Sequence, residues 1–288
     1  MQNEKTCEAE QKRTGRLMIA ATAILWGLAG VCVKNICWNS LSIMAVRSFA
    51  ALLLLAAVRK SFRIRLSRKN LIAAVFGSAT GILYMMGIKN TNAATAIVLQ
   101  YTAPIIVLLI GIVFYKRKAD VKQIIAVAVV FLGCVFSFSD NMSGGHLLGN
   151  ILSLASGFTF AVQIVIMADG DTDADDSMMI GNILSILICT PFLFADKGIA
   201  GTDGGTVFWL AVLCLFQYGL ANILYTKGCQ RISDLECSLL LTLEPIFNPI
   251  PVALVCGEWM GVRALVGFAL VIAGIVFYTI TESRRKPV

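Results

Sequence analysis

Two ionisable side chains sit where water is not expected. Glu244 lies in the run Leu-Glu-Pro-Ile-Phe and Arg47 in Met-Ala-Val-Arg-Ser-Phe, each inside a long apolar stretch. An unpaired charge near the centre of a bilayer costs at least ~2.5 to 3.5 kcal/mol on insertion scales, so a site is sought first at such residues. Glu244 falls about 13 Å into its run if the run is helical. Pro245 beside it removes a backbone donor and frees the carbonyl of Leu241, and Pro249 and Pro251 extend the irregular stretch. One outcome is a broken helix lining a cavity, with Glu244 binding an amine or carrying a coupling proton. The other is a packed kink whose carboxyl group is neutral or bonded to a neighbouring helix. Arg47 falls about 6 Å from the outer end of its run, which suits a structural role, snorkelling to the surface or bracing an adjacent helix. An ion pair with Glu244 would require the two to meet from different depths.

Neutral polar groups occupy segments of the same kind: Trp26, Tyr84, Gln100, Tyr101 and Gln163, with Asn182, Gln217, Asn222, Tyr225 and Asn248. Amides in lipid seek bonds on another helix, so interhelical bonding competes with solute contact at each of them. The substrate-binding candidates are Trp26, Tyr84, Gln100, Tyr101, Gln163, Asn222, Tyr225 and Glu244. Arg47 and Glu244 are candidate coupling or structural charges, and Pro104 and Pro245 candidate helix breaks. Tyr84 and Tyr225 either face one another inside the protein or belong to an interfacial aromatic belt. Gly77 with Gly81, and Gly27 with Gly30, fit close helix packing without any ligand.

Metal and redox chemistry find no support. The nine cysteines are scattered with no C-x-x-C pair, and His146 is the single histidine, so a site of the usual His/Cys kind lacks ligands and most cysteines read as small buried fillers. No cofactor is expected. The stretch Asp169-Gly-Asp171-Thr-Asp173-Ala-Asp175-Asp176 resembles the start of a calcium loop, but Ala174 stands where the glycine belongs and Ile180 where the bidentate glutamate belongs. It reads as a solvated loop.

The elements that must hold these residues follow from composition. With 58% hydrophobic and 14% charged residues, the solvent for most of the chain is lipid. A span takes about 20 helical residues, and ten runs qualify, near Leu17 to Val33, Ile43 to Val58, Leu71 to Ile88, Ala93 to Tyr115, Val121 to Phe138, Leu147 to Met167, Met178 to Phe194, Val207 to Tyr225, Leu235 to Val255 and Ala264 to Thr281. They lack the period-two alternation of barrel strands, so the fold class is an all-α polytopic membrane protein. The small residues Ala20, Ala21 and Ala23 open the first run rather than close it, unlike a cleaved signal peptide.

Lys and Arg set the orientation. With the N-terminus cytoplasmic, that side holds the basic clusters near Arg13, from Arg59 to Lys69, near Lys116, and at Arg284 to Lys286, while the other keeps Lys34, Lys89, Lys197 and Arg263. Both termini are thus expected in the cytosol, in a membrane expected to be the bacterial plasma membrane. Only the Asp169 to Asp176 loop dissents, and acidic residues count for little in this rule. The basic run Arg59 to Lys69, with Phe62 and Ile64 interspersed, reads as a topology determinant and anionic-lipid contact rather than a nucleic-acid site.

The chain also repeats itself. Tyr84 to Phe136 recurs without a gap, 141 residues on, as Tyr225 to Phe277, pairing Gly87 with Gly228, Pro104 with Pro245 and Gly133 with Gly274. Aliphatic matches mean little in such sequences; the Tyr, Gly and Pro matches carry the duplication. Five helices per half is an odd number, so the second half enters the membrane upside down, giving two inverted five-helix repeats over residues 17–138 and 147–281, with tails at 1–16 and 282–288. Inverted halves can form one site at the midplane, opened to either side by rocking.

Several of these residues together resemble the EamA family of the drug/metabolite transporter superfamily: Trp26-Gly27, Arg47, Gly81 with Tyr84, the Pro104 helix, Glu244-Pro245, Gly257-Glu258, and Gly267 with Gly274. In the first half Tyr115-Lys116-Arg117 stands where the Gly-Glu pair would be. The resemblance implies a transporter of small metabolites, often an exporter of amino acids or related compounds. The expectation is a secondary transporter of a small organic solute. It lacks the phosphate loop G-x-x-x-x-G-K-[ST], so its energy would come from a gradient of solute, proton or other ion. The alternative is a non-transport membrane protein, a sensor or a lipid-modifying enzyme, though no paired nucleophile and base is visible for the latter. Neither substrate identity nor oligomeric state follows from the sequence.

Overall fold

The computed structural model describes residues 2–90, 93–116, 120–138, 147–168, 170–256 and 262–283. Among them every regular element is helical. Six helices are long and apolar enough to cross a membrane, Ala9–Lys34, Ser40–Arg59, Arg68–Ile88, Leu147–Met167, Ala174–Ala195 and Gly204–Cys229, and shorter apolar stretches cover Ala103–Val113, Val121–Gly133 and Leu265–Gly274. The expected tails and loops at His146, at Asp169, at Arg117 and Lys118, at Gly257-Glu258 and from Arg284 onward lie outside the described residues.

The order is α1 (Gln2–Trp26), α2 (Ala29–Lys34), α3 (Ser40–Arg59), α4 (Arg68–Asn90), α5 (Ala93–Gln100), α6 (Ala103–Val113), α7 (Val121–Phe138), α8 (Leu147–Met167), α9 (Ala174–Ala195), α10 (Gly204–Val212), a π-helical stretch (Leu213–Leu220), α11 (Ala221–Cys229), α12 (Asp234–Leu241), α13 (Glu244–Phe247), α14 (Pro249–Cys256) and α15 (Val262–Ser283). Helix α1 starts at Gln2, so most of the expected tail before Arg16 is helical as well.

Two expected continuous spans are interrupted, and for the same reason. Proline cannot donate to the helix ladder and crowds the carbonyl four residues earlier. Before Pro104, α5 ends and the chain turns through Tyr101 and Thr102; before Pro245, α12 ends and the chain turns through Thr242 and Leu243. Thr102 N donates to Leu99 O at 3.3 Å and Ile105 N to Thr102 O at 3.1 Å, while Leu243 N donates to Leu240 O and Ile246 N to Leu243 O, both at 3.1 Å. These i to i−3 bonds tighten both helices at repeat-related positions.

Packing between the halves follows a crossed pattern. Helix α4 lies on α8, α11 with the π stretch lies along α1 and α3, α3 lies on α9, and α7 lies on α15. Glycines set the closest approaches. A Cβ on Gly87 would stand 2.4 Å from Ser153 Oγ and 3.5 Å from Gly149 O, and one on Gly228 would stand 2.8 Å from Ile19 Cδ1 and 3.2 Å from Gly15 O. The two repeat-related glycines thus seat α4 on α8 and α11 on α1.

Polar bonds tie the bundle at both ends. At one end Arg59 pairs with Asp176, whose other oxygen accepts from Arg65 N at 3.0 Å. Lys69 meets Asp171 at 2.9 Å, and Arg16 meets Glu236 at 2.5 Å. The expected solvated acidic loop is therefore docked: Asp176 is fully buried, and Asp173 caps α9 by accepting from Asp176 N at 3.0 Å. Sequence separation hid this, because the partners come from the end of α3, the loop after it and the start of α4. At the other end Asn39 N donates to Asp196 Oδ2 at 2.7 Å and Trp38 Nε1 to Thr202 Oγ1 at 2.9 Å.

Candidate functional site

The long helices line a cavity of about 80 Å³. Its walls come from α1, α3, α4, α5, α8, α9, the π stretch, α11 and α13, and hence from both sequence repeats. Of the expected substrate-binding residues, Trp26, Tyr84, Gln100, Gln163, Asn222, Tyr225 and Glu244 all reach it, as do Asn182 and Gln217. Neither Tyr101 nor Asn248 is a wall residue, and Pro104 and Pro245 act from behind it.

The proline breaks explain how Glu244 arrives there. Because α12 stops at Leu241, Glu244 opens a new short helix and its side chain turns into the bundle, where it is 5% exposed. Tyr101, in the matching turn of the first half, donates its hydroxyl to Glu244 Oε2 at 2.5 Å. The two interruptions are thereby joined by a short side-chain hydrogen bond.

Of the two structural roles expected for Arg47, snorkelling is not what the structure shows: its side chain is 4% exposed, borders the cavity and rests against the neighbouring π stretch. Its Nε donates to Met44 Sδ at 3.1 Å and its guanidinium lies 4.2 Å from the centre of the Tyr218 ring. No ion pair within 4.0 Å joins it to Glu244 or to any other acid among the described residues. The face it turns to the bundle was not visible from sequence. Gly81 opens the space, since a Cβ there would come within 2.5 Å of Met44 Cε and 3.4 Å of Arg47 Nη2. Gly77 plays the same part for Gln163, whose Nε2 would be 2.5 Å from an added Cβ.

The π stretch carries one wall residue that sequence reading missed, Tyr218. Its wider turn, marked by Ala221 N bonding to Phe216 O, directs Gln217, Tyr218 and, in the next turn, Asn222 inward; such bulges recur at functional sites. Nothing in Leu-Cys-Leu-Phe-Gln-Tyr announces a π turn. Gln217 Nε2 reaches back to Trp26 O at 3.4 Å, a carbonyl released where α1 breaks at Gly27. A Cβ on Gly27 would stand 3.1 Å from Asn248 N, so that glycine serves packing.

The polar wall is unusual in what it leaves unpaired. Among the described residues, Trp26 Nε1, Tyr84 Oη, Tyr225 Oη, Asn182 Oδ1, Gln217 Oε1 and both side-chain polar atoms of Asn222 have no hydrogen-bond partner. Tyr84 and Tyr225 are buried, at 7% and 0% exposure, so they belong to the interior and not to an aromatic belt. Trp26 covers Tyr225 with ring centres 5.3 Å apart and Phe160 at 5.9 Å. Ser78 and Ser185, 2.9 Å apart, tie α4 to α9 beside the cavity. No cluster of three or more metal-ligating side chains occurs among the described residues.

The comparisons agree with this architecture. The EamA-like transporter family matches the chain twice, over residues 13–139 and 147–280. An uncharacterized inner membrane transporter of Salmonella typhimurium, YicL, is 24% identical over 95% of this chain and 97% of its own length. An uncharacterized transporter of Archaeoglobus fulgidus is 23% identical over 92% of this chain and 96% of its own, and the protein RarD of Salmonella typhi 20% identical over 97% and 100%. A crystal structure of a protein 13% identical superposes with a TM-score of 0.78, covering 94% of this chain and 98% of the other, which speaks for the fold alone. With its membrane-length helices and the double family match, this chain is an integral multi-pass membrane protein and belongs to the EamA-like transporter family.

Proposed function

We propose that the protein is a secondary transporter that moves a small organic metabolite, an amino acid or a related compound, by alternating access. In this reading the ten expected spans form two inverted five-helix repeats, residues 17–138 and 147–281, with the interrupted α5–α6 and α12–α13–α14 each counting as one span. The crossed packing of α4 on α8 and α11 on α1, and the matched interruptions before Pro104 and Pro245, support it. Both termini face the cytosol of a bacterial plasma membrane, on the charge count given above.

The observation that carries the reading is the central cavity. A buried amide or hydroxyl without a partner is costly, and here several converge on one small chamber walled by both halves. A solute that bonds Asn222, Tyr84 and Tyr225 would offset that cost. Glu244, held by Tyr101, either receives an amine of the solute or carries the coupling proton, which the asymmetric placement of a single acid in the chamber suits.

Flux into proteoliposomes across a metabolite panel tests the proposal. Saturable uptake or efflux that responds to Glu244→Gln is expected. If Glu244 carries the proton, the variant keeps solute exchange and loses acceleration by a pH gradient; an unaltered pH response removes it from that role. Retention of every solute by wild-type vesicles would defeat the transport reading.

A further inference from the structure

The least compensated group in the chamber is Arg47. Guanidinium presents five N–H donors, and here Nε alone has an acceptor among the described residues, a thioether sulfur, itself a weak one. The opposite face rests on Tyr218, which orients the plane without neutralising it. Gly81 removes the side chain that would otherwise press on Nη2. The positive edge is therefore fixed in direction and left open to the cavity.

We infer that Arg47 is the docking point for a carboxylate of the transported solute. This rests on the transport reading and narrows it to carboxylate-bearing compounds. The planar fork of guanidinium matches the two oxygens of a carboxylate. Charge balance favours a zwitterion over a dianion: among the wall residues Arg47 is the one cation and Glu244 the one acid, so a solute whose carboxylate meets Arg47 and whose ammonium faces Glu244 adds no net charge, whereas a dianionic phosphate would leave surplus negative charge in a buried space. The remaining wall groups are neutral amides, hydroxyls and an indole, which hold the rest of the solute by hydrogen bonding and stacking. The solute supplies the partner that the protein withholds, so the cation is neutralised only when the chamber is loaded.

The test uses the full chain in proteoliposomes, with the common L-amino acids, their carboxamides, their decarboxylated amines and a set of neutral sugars as probes. Each carboxamide keeps the amine and side chain of its parent and removes only the anion. The inference expects transported acids to lose about tenfold or more in apparent affinity as carboxamides, the scale of one charge-assisted bond. Arg47→Met should weaken the acids by a similar factor and narrow the gap between acid and carboxamide, and Arg47→Lys should restore part of it by keeping the charge without the fork. Thermal unfolding of each variant separates misfolding from lost binding, and the acid against carboxamide comparison in the wild type needs no variant at all. Equal handling of acid and carboxamide overturns the inference. Transport confined to sugars or amines overturns it while leaving the transporter standing, and no transport of any probe removes both.

Discussion

Gly157 offers the sharpest test of how the interrupted helix is held. Helix α8 crosses the break between α5 and α6 at this residue, and a Cβ added there would lie 2.8 Å from Gln100 O, 2.9 Å from Leu99 O and 2.9 Å from Thr102 Oγ1. Ordinary contact begins near 3.4 Å, so Gly157→Ala overlaps three oxygens by about 0.5 Å each. Two of them are backbone carbonyls at the end of α5, which cannot swing aside as a side chain can. Relief requires moving the break itself, and with it Gln100 in the cavity wall and Tyr101 on Glu244. Overpacking of this kind costs about 1 to 3 kcal/mol, and the gain in helix propensity from Gly to Ala, about 1 kcal/mol, offsets only part. Thermal unfolding in detergent, followed by a thiol dye on the buried cysteines, should show Gly157→Ala destabilised, with solute flux falling alongside. Gly170→Ala is the matched control, since nothing lies within 4 Å of a Cβ there. If Gly157→Ala melts with the wild type and transports at its rate, α8 does not clamp the interruption.

Asn222→Leu should leave the fold intact or stabilise it by about 1 kcal/mol, because neither polar end has a protein partner to lose, while flux collapses; unchanged flux with lower stability would make Asn222 a structural residue instead. Tyr101→Phe removes the hydrogen bond that Tyr101 donates to the Glu244 carboxyl group, and unfolding should report a loss of about 1.5 to 3 kcal/mol that shrinks to about 0.5 to 1.5 kcal/mol when Glu244 is already Gln; an equal loss in both backgrounds would show that the bond is not charge-assisted. Arg59→Ala strips the partner of fully buried Asp176 and should cost about 3 kcal/mol, the low end for a broken buried pair because Arg59 is itself partly exposed. In a double-mutant cycle Arg59→Ala with Asp176→Ala should recover part of that, and strict additivity would show the pair uncoupled.

Much of the site was legible because lipid makes polarity conspicuous. Glu244 stood out as an acid in an apolar run, Pro245 and Pro104 forecast the two breaks, and Trp26, Tyr84, Gln100, Gln163, Asn222 and Tyr225, singled out as polar or aromatic groups in apolar runs, border the chamber. What failed needed rotation or distance. Depth placed Arg47 near the surface, yet its azimuth toward Tyr218 depends on a π turn whose cause lies in packing, not in its own letters. Tyr101 was grouped with the wall when it stands behind Glu244. The acidic stretch up to Asp176 reads as solvated from its neighbours in sequence, and only folding brings Arg59, Arg65 and Lys69 against it. The runs from Ala93 to Tyr115 and from Leu235 to Val255 read as single spans with candidate breaks at Pro104 and Pro245, and hydropathy alone, averaging over the turns, would not have placed the interruptions found there.

The distribution of ties bears on where motion would have to occur if the chamber opens alternately to the two sides. Helices α3 and α9 face each other with polar bonds at both extremities, Arg59 to Asp176 at one and Ser42 Oγ to Phe192 O at the other, 3.3 Å. Sliding this pair breaks both at once. The interrupted helices pay less for bending, since the turns at Tyr101–Thr102 and Thr242–Leu243 already run on i to i−3 bonds and Pro104 and Pro245 have no ladder bond to lose. Hinges absorb change best at such element ends. The two turns meet through Tyr101 and Glu244, so a bend at one is felt at the other, and a solute or proton arriving at Glu244 acts on both halves through a single hydrogen bond.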